Sequence, residues 1–293
     1  MHRFRTNGEK VFNVFNIAFL SLVTLIMFYP MWHILTSSLS DPHQLWAHTG
    51  VMLRPLGWNP AAYVMVLNNP NILTGYINTI FVVLVGTSIQ MIMTICCAFA
   101  LTRRDFMLKK PMTMLILFTF FFQGGLIPTF LVVQGVGLID TRFALIFPIA
   151  ISTWNMIIMR TSFANFPHEM EDAARIDGAG ELTFICRILL PLSKSVLAVI
   201  ALFYAVHHWN AWLSSVLYLR TRSLFPLQLV MREILIAMDL GRMIEEADVI
   251  EYLMVGATIR YATIIVAVLP VLLFYPFVQR YFVTGIMIGA VKG

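Results

Sequence analysis

INTIFVVLVGTSIQMIMTICCAFAL, residues Ile77–Leu101, runs twenty-five residues without an Asp, Glu, Lys or Arg. As a helix rising about 1.5 Å per residue it is long enough to cross the roughly 30 Å of hydrocarbon in a bilayer. Five more apolar runs flank it, at Val11–Leu35, Met112–Val133, Phe143–Met159, Leu192–Leu219 and Thr263–Val283, and none of the six contains Asp or Glu. The fourth is short and requires Pro148 to be tolerated inside a bundle. Charged residues make up 12% of the chain and apolar residues 59%, whereas a soluble domain carries about 25% charged residues. Too few charges remain to clothe a water-facing surface. The expected fold class is all-α integral membrane with six transmembrane helices.

The connecting segments sort by charge. The N-terminus, Thr102–Pro111, Arg160–Pro191 with the start of the fifth helix, and the C-terminal tail hold thirteen Lys and Arg. The other connections hold seven Arg and no Lys. Basic loops stay on the cytoplasmic side. Both termini are therefore expected in the cytoplasm, and the protein as a multi-pass component of the cytoplasmic (inner) membrane, in contact with lipid. The net charge of +5 follows from this distribution and implies no nucleic-acid partner. The first apolar run has a basic front but exceeds a signal-peptide core and lacks an A-x-A site, so it reads as an uncleaved helix. Cys96, Cys97 and Cys186 lack metal-ligand spacing. They read as small buried apolar side chains, and no metal site is expected.

Residues 1–76 divide off as one helix plus an outward segment, and 77–293 as a core of five helices. In the outward segment Asp41-Pro42, Arg54-Pro55, Asn59-Pro60 and Asn69-Pro70 read as turn signals. Met231–Met243 reads as an amphipathic helix. The cytoplasmic loop 160–191 carries more than a connector needs. Pro167 suits a first helical position, and Glu169, Glu171 and Asp172 suit the positive end of a helix dipole. Gly178 and Gly180 suit its end. A second short helix, Glu181–Leu190, would stop at Pro191. Such a helix–glycine–helix unit is a plausible docking element, its acids facing arginine and its paired alanines admitting a partner backbone. An ordinary solvated loop helix would show the same acids.

Asp172, Ala173, Ala174, Gly178, Ile188, Leu190 and Pro191 resemble, with every spacing kept, the EAA signature of binding-protein-dependent ABC importer permeases. Asp172 stands where that family has glutamate, one methylene longer. Ile176-Asp177-Gly178-Ala179 looks like the carbohydrate branch. Gly124-Gly125-Leu126-Ile127-Pro128, Tyr204-Ala205-Val206 with His208-Trp209-Asn210, and Pro226-Leu227-Gln228-Leu229 look like the subgroup that imports complex or uronate-containing oligosaccharides such as alginate. The ending Gly289-Ala290-Val291-Lys292-Gly293 is similar to the tail of the second maltose-type permease. The resemblance covers nearly the whole chain. It implies the type I ABC importer permease fold, a second homologous permease forming the pore with this one, two ATPase subunits and an extracytoplasmic solute-binding protein. It also implies that the loop is a coupling helix seated on the ATPase through Glu169, Asp172, Ala173, Ala174 and Gly178, and that Val291, Lys292 and Gly293 insert between the ATPase subunits. The chain has no G-x-x-x-x-G-K-[ST] phosphate loop. On this reading it is no enzyme and has no cofactor of its own, and ATP and Mg belong to the partner ATPase.

His207, His208, Trp209, Asn210 and Trp212 form a polar and aromatic cluster near one end of the fifth run. Such residues suit a sugar path, through stacking and hydrogen bonds, and equally suit an interfacial belt with interhelical bonds. His208 and Trp212, four apart, would share a face. Asn155 is a further path candidate, although it, Gln90, Gln123 and Trp154 also fit interhelical packing. Gly124-Gly125 with Pro128 would interrupt the third helix. Two other function classes make different demands on the sequence. A membrane enzyme needs an acid/base or metal constellation, and none is spaced for it. An ion-coupled secondary transporter predicts an inverted repeat and an acid inside a span.

Overall fold

In the computed structural model residues 6–103, 105–241 and 247–290 are described. Apart from one isolated β-bridge between Ser40 and Trp58, every regular element among them is helical. The helices are α1 (Asn7–Ser38), α2 (Pro42–Ala47), α3 (Ala61–Leu67), α4 (Pro70–Thr102), α5 (Lys109–Phe121), α6 (Leu126–Gly135), α7 (Thr153–Ala164), α8 (His168–Ile176), α9 (Glu181–Leu192), α10 (Lys194–Trp209), α11 (Trp212–Tyr218), α12 (Leu227–Gly241) and α13 (Ala247–Ala290). Three helices are long and apolar enough to cross a membrane, and up to six spans result if each of three bent pairs is one span.

The chain forms two compact units, Met1–Asn69 with Glu233–Leu269, and Pro70–Arg232 with Pro270–Gly293. In the first, α1 opens with a capping box: the Glu9 N–H donates to Thr6 Oγ1, and the Thr6 N–H donates to the Glu9 carboxylate. No residue in the most apolar window of α1 is buried by the chain itself. Phe12, Phe15, Leu22 and Ile26 lie bare along it. In water that row would be a liability, but against hydrocarbon it costs nothing. At its far end Thr36, Ser37, Ser38 and Ser40 are buried because the following segment folds back over them. Trp32 Nε1 donates to the Leu53 carbonyl (3.0 Å), the Met52 N–H to the Tyr29 hydroxyl (3.1 Å), and the Ser38 and Tyr63 hydroxyls bond at 2.6 Å.

The Pro pairs of this segment mostly start helices instead of turns. Asp41 caps α2 by accepting from the His43 and Gln44 N–H groups, Pro60 precedes α3, and Pro70 opens α4. Proline lacks the N–H that a first turn leaves unsatisfied anyway.

In the second unit α4 is the central element, packed against α10 and α7. The third expected span is broken more sharply than a kink: α5 and α6 meet at 119°, with Gly125 at φ +86°. The fourth consists of short 3₁₀ turns over Arg142–Ile149 bent 52° from α7. The fifth differs most from expectation. The run Leu192–Leu219 is not one helix, because α10 ends at Trp209 and α11 starts at Trp212. At its other end α9 joins α10 at 86°. Pro191 does not stop α9 either. Having no N–H for the Arg187 carbonyl, it is accommodated by a π-turn over Ile185–Leu189, in which the Leu190 N–H donates to the Ile185 carbonyl. The amphipathic helix begins at Leu227, four residues earlier than expected, and its expected last residues, Arg242 and Met243, lie outside the described residues. The three cysteines are free, but Cys96 and Cys186 are exposed rather than buried. Cys96 lies in a span, where an apolar side chain needs no cover from its own chain, and Cys186 lies in the loop between α7 and α10.

Candidate functional site

The loop between α7 and α10 is built from its capping chemistry. Pro167 (φ −59°, ψ 124°) stands just before α8 rather than as its first residue, and Glu169 and Glu171 fall in the first turn. At the other end Gly178 takes φ +75°. Its N–H donates to the Arg175 carbonyl (3.0 Å), and the Ala179 N–H donates to the Ala174 carbonyl (2.9 Å). This pair of bonds is a Schellman closure, completed by Ala179 packing onto the cluster that holds Ala174. Gly180, at φ −71°, does not end α8. It caps the start of α9.

The paired alanines face different ways. Ala174 is buried with Ala98, Phe99, Phe163, Phe184, Leu189 and others in the chain's own core. Ala173, Glu169 and Asp172 are exposed. So are two large apolar side chains of the same loop, Ile176 of α8 at 87% and Leu182 of α9 at 77%. Behind α8 lies a set of ion pairs that sequence reading missed. Arg103 pairs with Glu171 and lies 3.8 Å from Glu181, while Arg175 reaches Glu171 at 3.0 Å and Glu181 at 3.3 Å. Only the (i, i+4) pair Glu171/Arg175 carried a sequence signal. Val291, Lys292 and Gly293 lie outside the described residues.

The second group lies between α4 and α10. His208 is fully buried, and its Nε2 bonds Gln90 Oε1 at 3.0 Å, while Gln90 Nε2 donates to the Ile149 carbonyl at 3.0 Å. Gly86 makes room for the ring: a Cβ there would stand 2.5 Å from Nε2. Four residues along α10 the Tyr204 hydroxyl bonds Thr94 Oγ1 (2.7 Å) and accepts from the Ser152 N–H (3.0 Å). Both networks tie α4 and α10 to the break before α7, where backbone groups leave the helical ladder and need partners.

His208 and Trp212 do not share a face, since the helix is interrupted between them. Trp212 is exposed and carries the Arg232 guanidinium 4.1 Å above its ring. Trp209 is half-buried with its ring 6.4 Å from that of Tyr76. Asn210 is exposed, and its amide turns back to the Val206 carbonyl. Asn155 is buried at the start of α7, beside the Ser152 cap. Near one end of α4, Asn78 Nδ2 donates to the Ser223 and Phe225 carbonyls, and Thr79 Oγ1 accepts from the Leu227 N–H. Among the described residues no group of three or more His, Cys, Asp or Glu could hold a metal.

No protein-family model matches the chain. Individual proteins do. The polygalacturonan/rhamnogalacturonan transport system permease protein YtcP of Bacillus subtilis (strain 168) is 35% identical over 97% of this chain and 99% of its own. Protein LplC of the same organism is 38% identical over 98% and 97%. A chain in the crystal structure of a bacterial ABC transporter involved in the import of the acidic polysaccharide alginate superposes with a TM-score of 0.85 at 29% identity, over 96% of this chain and 99% of that one. With that agreement in sequence and fold from end to end, the chain belongs to the family of sugar ABC transporter permeases.

Proposed function

We propose that this chain is one of two permease subunits of an ATP-driven importer for acidic, uronate-containing oligosaccharides. Its loop 160–191 couples the pore to a cytoplasmic ATPase. The observation that carries the coupling role is the outer face of α8, where Asp172 and Ala173 lie exposed with Ile176, followed by exposed Leu182 at the start of α9. A short helix closed at its C-terminal end that leaves a large apolar side chain and an acid uncovered has the makings of a docking surface. ATP and Mg bind to the partner ATPase subunits, a solute-binding protein delivers the sugar outside, and both termini lie in the cytoplasm. Val291, Lys292 and Gly293 contact the ATPase pair. The acidic substrate is supported by the likeness to a polygalacturonan/rhamnogalacturonan permease and to the alginate importer. Along the pore, Trp209, Asn210 and Trp212 offer sugar-facing surface. His208, committed to Gln90, acts between helices.

Gly178→Val tests the coupling role. No atom of the chain lies within 4 Å of the added Cβ, yet the left-handed φ strains a valine by about 1–2 kcal/mol. The variant is expected to insert and assemble with its partner permease while its transporter loses the ATPase or hydrolyses ATP without moving trigalacturonate. Asp172→Lys is expected to do the same and Asp172→Glu to be mild. Normal ATPase binding and uptake in both Gly178→Val and Asp172→Lys would reject the loop as the coupling element.

A further inference from the structure

We infer that Arg103 is the positioning residue that locks α8 to the end of α4, so that the two move as one piece. The inference rests on α8 being the coupling helix and adds what holds it. Arg103 stands one residue beyond α4, where a helix dipole favours a cation. One side of its guanidinium carries the ion pairs: Glu171 of α8 directly, and Glu181 of α9 at 3.8 Å. Its flat side lies 3.9 Å above the Phe99 ring of α4 and 5.7 Å from Phe184 of α9. A planar fork that binds carboxylate at its edge and stacks by its face is what arginine supplies and lysine does not. Arg175 closes the set by bridging the same two carboxylates.

Exposure separates the members. The side chains of Arg103 and Glu171 keep 19% of their surface, against 52% and 55% for Arg175 and Glu181. The Arg103–Glu171 pair is the one least screened by water and salt. Beneath it Phe99, Ala174 and Phe184 belong to one buried cluster that continues to Tyr204. Without the ion pairs α8 would be held, among the described residues, by Ala174 alone along its length and by the closure at Gly178. Pinned through Arg103, a push on its outer face reaches α4, the central helix of its unit.

The test uses the assembled transporter in lipid nanodiscs. Nitroxide labels are placed at the exposed native Cys96 of α4 and at Met170→Cys, an exposed position of α8 outside the docking residues, with Cys97 and Cys186 replaced by serine and the partner subunits free of cysteine. Electron–electron distance measurements are taken without nucleotide and with ATP and vanadate. The parent protein is expected to keep one narrow distance in both states. Arg103→Met, which retains packing over Phe99, should lose the single distance, and so should Glu171→Gln. The double variant should broaden by less than the sum of the two, since both remove the Arg103–Glu171 contact although each also loses one of its own, Arg103–Glu181 or Arg175–Glu171. A narrow distance in Arg103→Met overturns the inference, as do effects of the two substitutions that add. The labels report the tie whether or not α8 drives transport, so this failure is distinguishable from failure of the coupling reading.

Discussion

At the residue scale, two positions illustrate opposite uses of backbone room. Gly86 has none to spare: an alanine there would place its Cβ 2.5 Å from His208 Nε2, and the ring is already held by Gln90. Gly86→Ala is expected to displace His208 and cost about 1–3 kcal/mol, as overpacking does. This would be seen as a lower melting temperature of the detergent-purified protein, with Gly8→Ala, in open space, as the control. Asp140 takes φ +61° without being glycine, and its carboxylate accepts from the Arg220 and Thr221 N–H groups at 2.8 Å each and from the Thr221 hydroxyl. The Thr221 side-chain bond, then the backbone bonds, hold its carboxyl below the usual range. A depressed acid stabilises above its unfolded pKa, about 3.9, and that contribution is lost as pH falls through the lower folded value. The connection should therefore be indifferent to pH from neutrality to about 4 and loosen only in stronger acid. Asp140→Asn should loosen it at every pH, measured as faster amide hydrogen exchange at Arg220 and Thr221 relative to the parent protein.

At the scale of elements, α8 has two faces that neighbouring alanines report separately. Ala174 is packed into the chain's own core and Ala173 is open. Ala174→Leu is expected to overfill that core, at about 1–3 kcal/mol, and to lower thermal stability of the isolated permease. Ala173→Leu should leave that stability unchanged and reduce co-purification of the ATPase. Equal effects of both substitutions on the permease alone would mean that α8 has no outward docking face. The sequence motif made these two alanines look alike, because spacing along a helix fixes their relative angle but not which angle points inward. Arg103 was silent for a related reason. It lies sixty-eight positions from Glu171, and a partner that far along the chain leaves no periodic trace.

At the scale of the whole molecule, the segregation of lysine and arginine sets the expected orientation. Single cysteines introduced into a cysteine-free chain should label from the cytoplasmic side within Thr102–Pro111 and at Gly178, and from outside within Thr36–Gly75. Access to Gly178 from outside would reverse the orientation and remove the coupling role with it. The apolar run lengths were enough to mark six candidate spans, and composition was enough to name the solvent. Neither could show that three of the six are broken pairs, since a helix that bends keeps the same residues in the same order.

Hydropathy, loop charge and the spacing from Asp172 to Pro191 by themselves determined that this is an all-helical membrane chain with a helix–glycine–helix loop. These signals are local, each confined to one span or one loop. Transfer free energy into lipid and left-handed backbone geometry depend on the residues present, not on distant neighbours. Only the tertiary structure decided that His208 is spent on Gln90, that α10 stops at Trp209, and that Arg103 joins α4 to α8. The first and the last depend on which faces meet across more than sixty residues of chain. In hydrocarbon, apolar faces gain little by choosing one another. The choice of partner falls to a few buried polar groups that must find each other, and sequence distance hides those meetings.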